Sequence, residues 1–253
     1  MLHAYLDESY DAHTMCVGGW LSPDNVWPLI NEKWAQRIEY EQKLSIRRSQ
    51  EPIDRYHATD CANLKRKFKT WTIPRQILLT RKLIGILGAV RPLPIGIAVG
   101  LSLRELRAAR PDLDAKMVKW VAYFLCMCEC FFNIGEAMNE VFPSERVTVV
   151  HDGSAEFDGA ASRAFRQMHE SQRFDYAHYF TDITPGSWQD FIALQPADLI
   201  AYEGFKLTAA RKRGEDDLRK SLQRVLGHHI VVRAGFYKSN GLEALSKSSF
   251  DVN

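Results

Sequence analysis

Apolar and polar positions change their period several times along the chain, and the changes divide it into strands and helices. Residues 2 to 8 read as a strand and "HTMCVGGWLSP", residues 13 to 23, as a second. The turn "ESYDA" between them suggests a hairpin. Asp24 or Asn25 can cap a helix running towards Leu44, with Trp27, Ile30, Trp34 and Ile38 on one face. The segment "IRRSQEPIDRYHATDC" has no period and is expected to be irregular, with a short extended piece at Tyr56 and His57. Pro74 then fits the first turn of a helix through about Leu87.

"LPIGIAVGLS" has the β-branched residues and glycines of a third strand, and Arg104 to Ala109 make one helical turn. Asp112 to about Glu140 reads as a long apolar helix. In "RVTVVHDGS" the run Val147 to Val150 predicts a strand covered on both faces. A helix from about Phe157 to Glu170, a strand "YAHYFTDI", a helix from Pro196 to about Lys212 and another from Glu215 to Leu226 follow, before a less regular tail. This order predicts an α/β fold: a mixed sheet with helices packed on both faces. The most economical organisation is one domain over residues 1–253, with a mostly helical insert at about 24–90.

Against this pattern three acids stand out, because each ends or opens something apolar. Asp7 closes the first strand beside Glu8, Asp152 closes "VTVVHD", and Asp198 opens the apolar helix of "LQPADLIAYE". Burying an unpaired carboxylate costs several kcal/mol, so each acid needs a partner, and one divalent cation can serve all three. Mg²⁺ and Mn²⁺ prefer such oxygen ligands. Each acid also has a simpler reading. Asp7 and Glu8 can open the turn that follows, Asp152 before Gly153 suits an Asx-turn, and Asp198 after Pro196 suits the positive end of a helix dipole. Strand alternation puts Asp7 and Glu8 on opposite faces, so at most one of them is expected to reach a shared site, Asp7 by preference. Glu8 and His57 are further catalytic candidates, and Gln195 is placed to orient Asp198. Glu203 and His151 are expected to be structural.

Composition narrows the picture only slightly. The chain is 46% apolar and 25% charged, as ordinary globular proteins are, and its net charge of +2 would leave a nucleic-acid partner dependent on local patches. "NLKRKFKTW", with Lys65, Arg66, Lys67 and Lys69 among Phe68 and Trp71, is the best such patch. "RELRAAR" and "ARKRGEDDLRK" are weaker. Asp7 and Glu8 interrupt the place where a secretory leader would have its apolar core. The most apolar run, Val121 to Gly135, is short for a membrane span and holds Glu129, so no membrane association is expected. Cys126, Cys128 and Cys130 alternate on one helix, a spacing unsuited to a disulfide or a zinc site. Reduced thiols and a cytoplasmic location follow as expectations. No phosphate-binding glycine loop is present, and nothing selects an oligomeric state.

Together "YLDES", "HATDC", "VVHDGS" and "LQPADLIAYE" resemble the bacterial and phage family of unknown function DUF3800, over a span from about Leu2 to about Tyr237. The usual glycine after "DES" is here Tyr10. That family is similar in architecture to the ribonuclease H-like superfamily. The resemblance implies a five-stranded mixed sheet, three antiparallel strands followed by parallel ones, with acids on the first strand, near the end of the fourth and on a late helix. Asp7, Asp152 and Asp198 match those places. It further implies a nuclease in which Asp7, Asp152 and Asp198 bind Mg²⁺ or Mn²⁺ for phosphodiester hydrolysis of RNA, DNA or a hybrid. The alternative is a non-catalytic nucleic-acid- or protein-binding module that keeps the fold. A phosphoryl-transfer enzyme with an aspartyl nucleophile fits poorly, since its two aspartates are usually spaced by one residue.

Overall fold

A computed structural model of the chain describes residues 1–215 and 217–237. Six strands form one mixed sheet: β1 (Leu2–Tyr10), β2 (Thr14–Pro23), β3 (Ile95–Ser102), β4 (Val147–Asp152), β5 (Phe180–Gly186) and β6 (Val232–Phe236), in the order β5-β4-β1-β2-β3-β6. The first three strands are antiparallel neighbours, while β4 runs parallel to β1, β5 to β4 and β6 to β3. The C-terminal ends of β1, β4 and β5 therefore meet along one edge.

β1 does not stop at its acids. It continues through Ser9, opposite Cys16, and Tyr10, opposite Met15. The turn is the shorter segment 11–13, where the Asp11 carboxylate accepts the backbone N–H groups of His13 (2.7 Å) and Thr14 (2.8 Å). A side chain thus closes the turn, which leaves the position of Tyr10 free of any need for glycine.

Among the described residues eight helices cover the sheet: α1 (Trp27–Arg47), α2 (Ala58–Ala62), α3 (Ile73–Ala89), α4 (Leu103–Ala109), α5 (Ala115–Val141), α6 (Asp158–Glu170), α7 (Leu194–Lys212) and α8 (Lys220–Gly227). One core joins α5 and α6 to the Leu6–Val17–Val149 face; the other joins α1, α3, α7 and α8 to the Tyr5–Trp20–Val150 face. The α5 helix is long and apolar enough to cross a membrane, which residues 121–135 alone are not. Two thirds of its apolar stretch is buried inside the fold, where it acts as the core helix of one face.

α7 lies unusually close to the sheet. A Cβ on Gly18 would come within 2.9 Å of the Ala201 backbone, and one on Gly204 within 2.8 Å of the Ala98 side chain. The Trp20 indole N–H donates to the Pro196 carbonyl at 2.7 Å and fixes the start of the helix. The helical segment after β2 docks on the same side. There Arg75 donates to Glu41 (3.0 Å) and Ser45 (2.9 Å), both buried, and stacks on Trp71 (3.6 Å to the ring centre).

Several sequence-based boundaries need correction. The sheet has six strands, not five, because the stretch expected to be irregular contributes β6. Its burial is intermediate throughout apart from exposed Ala234, so no alternation announces it. The fifth strand begins at Phe180, after a 3₁₀ turn over Ala177–Tyr179, rather than at Tyr176. The helix expected from Glu215 is ordered as α8 only from Lys220. The tail beyond residue 237, and residue 216, lie outside the described residues.

Candidate functional site

Where β4 leaves β1, the sheet opens a crevice lined with acids. Pairing between the two strands ends at Leu6 and His151, although β4 stays paired to β5 through Asp152 and Gly186. Alternation sends Asp7, like Tyr5, and Asp152, like Val150, towards the α7 side. Glu8 starts from the opposite side, with Leu6. Asp7, Glu8 and Asp152 nevertheless each bring a carboxylate oxygen within 4.8 Å of the other two. The expectation that only one of the adjacent pair would reach the site is therefore wrong. Beyond Leu6 the β4 side of β1 has no paired neighbour, and the longer Glu8 side chain reaches the crevice around that open edge.

Asp198 lines the same cleft, a cavity of about 260 Å³, but stands outside the tight group of three. Because α7 begins at Leu194, Asp198 lies past the first turn and is 7% exposed. Its Oδ2 accepts the Ala58 N–H at 2.7 Å, so a backbone amide from the start of α2 holds it, not the dipole of its own helix. Gln195 does not orient Asp198 as expected. Its Oε1 takes the Trp34 indole N–H (3.2 Å) and the Tyr56 N–H (2.9 Å), tying the α1–α2 region to α7.

The electrostatics of the cleft are those of negative groups held together against burial. Asp7 is raised well above the ordinary aspartate range by burial and by the charges of Asp198, Glu8 and Asp152. The Glu8 N–H, 2.7 Å from Asp7 Oδ1, offsets only part of this. Glu8 is pushed up to about 8, by burial first and Asp152 second. Burial also raises Asp152 and Asp198, while Arg55 and His57 pull both back. The Oε2 of Glu8 is buried without a hydrogen-bond partner. Such an atom fits a cation: the donors are hard oxygens of the kind Mg²⁺ and Mn²⁺ select, and one of them lacks any other partner.

His57 lines the cleft and also caps α2, its Nδ1 accepting the Asp60 N–H at 3.4 Å and lying 3.0 Å from Asp60 Oδ2. His151 is buried and its Nδ1 lies 3.1 Å from the Asp152 carbonyl oxygen. Glu203 is away from the cleft, 3.5 Å from Arg219 Nε. Sequence reasoning missed Arg55 and Trp188, which line the cleft with the carboxylates, the guanidinium 4.9 Å from the indole ring centre. Both sit in aperiodic segments; the only available signal was a basic residue two places before His57.

The basic runs contribute less than their composition suggests. Phe68 and Trp71 are buried against each other, with ring centres 5.0 Å apart, and are not surface rings. Lys67 pairs with Asp54 (2.7 Å), Arg66 with Asp60 (3.6 Å), Arg110 with Asp112 (2.7 Å) and Arg213 with Glu215 (2.8 Å). The five cysteines are free thiols, four of them buried and Cys128 partly so.

Comparison with known proteins adds no name to this cleft. No protein-family model matches the chain, and a search of the curated proteins finds no match.

Proposed function

We propose that the chain is a divalent-metal-dependent nuclease of the ribonuclease H-like class, akin to the DUF3800 proteins, which hydrolyses phosphodiester bonds of a nucleic acid. The observation that carries this reading is the convergence of Asp7, Glu8 and Asp152 within 4.8 Å, with a buried, unpartnered Glu8 oxygen, in an open cleft. The sheet order supports it as well. Strands β1 to β3 are antiparallel, β4 and β5 follow in parallel, and acids sit on the first strand, at the end of the fourth and on a late helix. β6 is an addition at the β3 edge.

In this reading Asp7, Glu8 and Asp152 hold Mg²⁺ or Mn²⁺, with Asp198, kept in place by the Ala58 N–H, on the other wall. A bound ion supplies a water of lowered pKa and offsets charge on the phosphate. Arg55 and His57 are the side chains that meet the remaining phosphate oxygens. Trp188 offers its ring to a neighbouring base, a contact available to any base and therefore tolerant of sequence. The carboxylates repel a phosphate until the ion is present, so binding and metal loading are coupled.

Labelled RNA, DNA and hybrid oligonucleotides incubated with Mn²⁺ test this directly. Cleavage is expected, and Asp152→Asn is expected to reduce it at least about 100-fold, since even partners that merely orient metal ligands are worth 10–100-fold. Asp198 standing outside the ligand cluster favours a second reading, a binding module that has lost its chemistry. Binding without Mn²⁺-dependent cleavage in the unaltered protein would select that one.

A further inference from the structure

A second cavity, of about 230 Å³, opens between α3, α7 and α8, and nothing in the carboxylate chemistry uses it. Its walls are mostly apolar. Tyr56, Ile84 and Tyr202 are buried there, and Ile77 stands at 52% exposure with no covering neighbour to explain it. Glu203 also lines the cavity, on the same helix as Asp198 but at only 3% exposure. Its Oε2 is buried and accepts no hydrogen bond, although it forms an ion pair with Arg219 Nε at 3.5 Å, and the same guanidinium lies over the Tyr202 ring at 5.0 Å. A buried carboxylate oxygen that is ion-paired but not hydrogen-bonded keeps acceptor capacity that a ligand N–H can use.

The rim has the opposite character. Arg81 and Lys220 are exposed there and Arg224 partly so, and among the described residues none of the three is in an ion pair. The cavity thus combines flat apolar walls, one buried acceptor and a cluster of free cations at the entrance. We propose that it binds a small planar molecule carrying an N–H donor and one anionic group, of the nucleoside monophosphate class. The ring lies against Tyr56, Ile84 and Tyr202, the donor meets Glu203 Oε2, and the phosphate meets the rim.

Alternatives satisfy only part of the site. Inorganic phosphate uses the rim and gains nothing from the walls. A fatty acid leaves Glu203 without a donor. The volume lies below the roughly 300–1,000 Å³ of typical ligand pockets, so the cavity takes the base and leaves the ribose and phosphate at the rim.

Calorimetric titration of the full chain in EDTA, with AMP, adenosine and inorganic phosphate as separate probes, tests the proposal. AMP is expected to saturate the protein and to bind at least roughly tenfold more tightly than either adenosine or phosphate. The double variant Arg81→Ala/Lys220→Ala changes only exposed side chains. It is expected to lose that advantage while adenosine binds as before. N6,N6-dimethyl-AMP, which lacks the donor, is expected to bind roughly tenfold more weakly than AMP. The proposal is overturned if phosphate matches AMP, if the double variant binds AMP normally, if dimethylation has no effect, or if AMP does not saturate by about 10 mM. Loss of AMP binding in Asp152→Asn, with the rim variant unaffected, would assign the ligand to the carboxylate cleft and also overturn it.

Discussion

Among single residues, Glu8 shows most clearly what the cleft costs the fold. Its side chain titrates near 4.5 when free and is pushed up to about 8 in the folded chain. Between those values the folded state holds a proton that the unfolded state has released, so stability must fall as pH rises. The contribution is fully present below the free value and is gone above the folded one. Asp7, raised for the same reasons, acts in the same direction. Urea unfolding of the metal-free protein is therefore expected to show a lower midpoint at about pH 8.5 than at about pH 5.5, and Mn²⁺ at the higher pH is expected to restore it. A midpoint that rises with pH and ignores Mn²⁺ would contradict the assignment. Legibility at this scale was uneven, for a physical reason. Asp7, Asp152 and Asp198 were visible because a carboxylate interrupts an apolar run. Glu8 was kept as a further catalytic candidate but not as a metal ligand, because alternation describes where a side chain starts, not how far it reaches past an open strand edge. Arg55 and Trp188 lie in segments with no period, where nothing in the local pattern tells which way a side chain faces.

At the scale of elements, α7 carries the site because small residues let it lie against the sheet. Gly18 under Ala201 and Gly204 over Ala98 bring the helix down, and Asp198 stands one turn before that contact. Gly18→Ala would put a Cβ 2.9 Å from both the Ala201 backbone and the Ile97 carbonyl oxygen. Overpacking of this kind costs about 1–3 kcal/mol, which denaturant unfolding would measure. Because the helix must lift, Mn²⁺ affinity is expected to fall as well; unchanged stability would show that the approach is looser than the geometry requires. Long elements were legible because burial of one face repeats: Trp27, Ile30, Trp34 and Ile38 are all buried in α1, as their spacing requires. Short elements were not. β6 has no buried face to impose a period, and the start of β5 was obscured because the aromatic residues before Phe180 pack through a 3₁₀ turn instead of pairing.

For the whole molecule, the sheet divides two cores and exposes one edge at which the acids collect, with Arg55 and His57 lining the same cleft. Half of the charges in the basic runs are spent on acids, and the net charge is only +2. Nucleic-acid binding should therefore release few counterions. About two phosphate contacts on a single strand predict a log–log salt slope of roughly −1 to −2. A slope several times steeper, measured by titrating a labelled strand over a range of salt, would reveal a basic surface larger than the cleft provides. The mixed α/β architecture was readable because strand and helix periods alternate through the chain; the meeting of its acids was not, since it depends on where β4 parts from β1. Anomalous diffraction from crystals soaked in millimolar Mn²⁺ tests that meeting most directly. The account predicts a manganese peak bounded by the carboxylates of Asp7, Glu8 and Asp152, and a map with no peak there would contradict it.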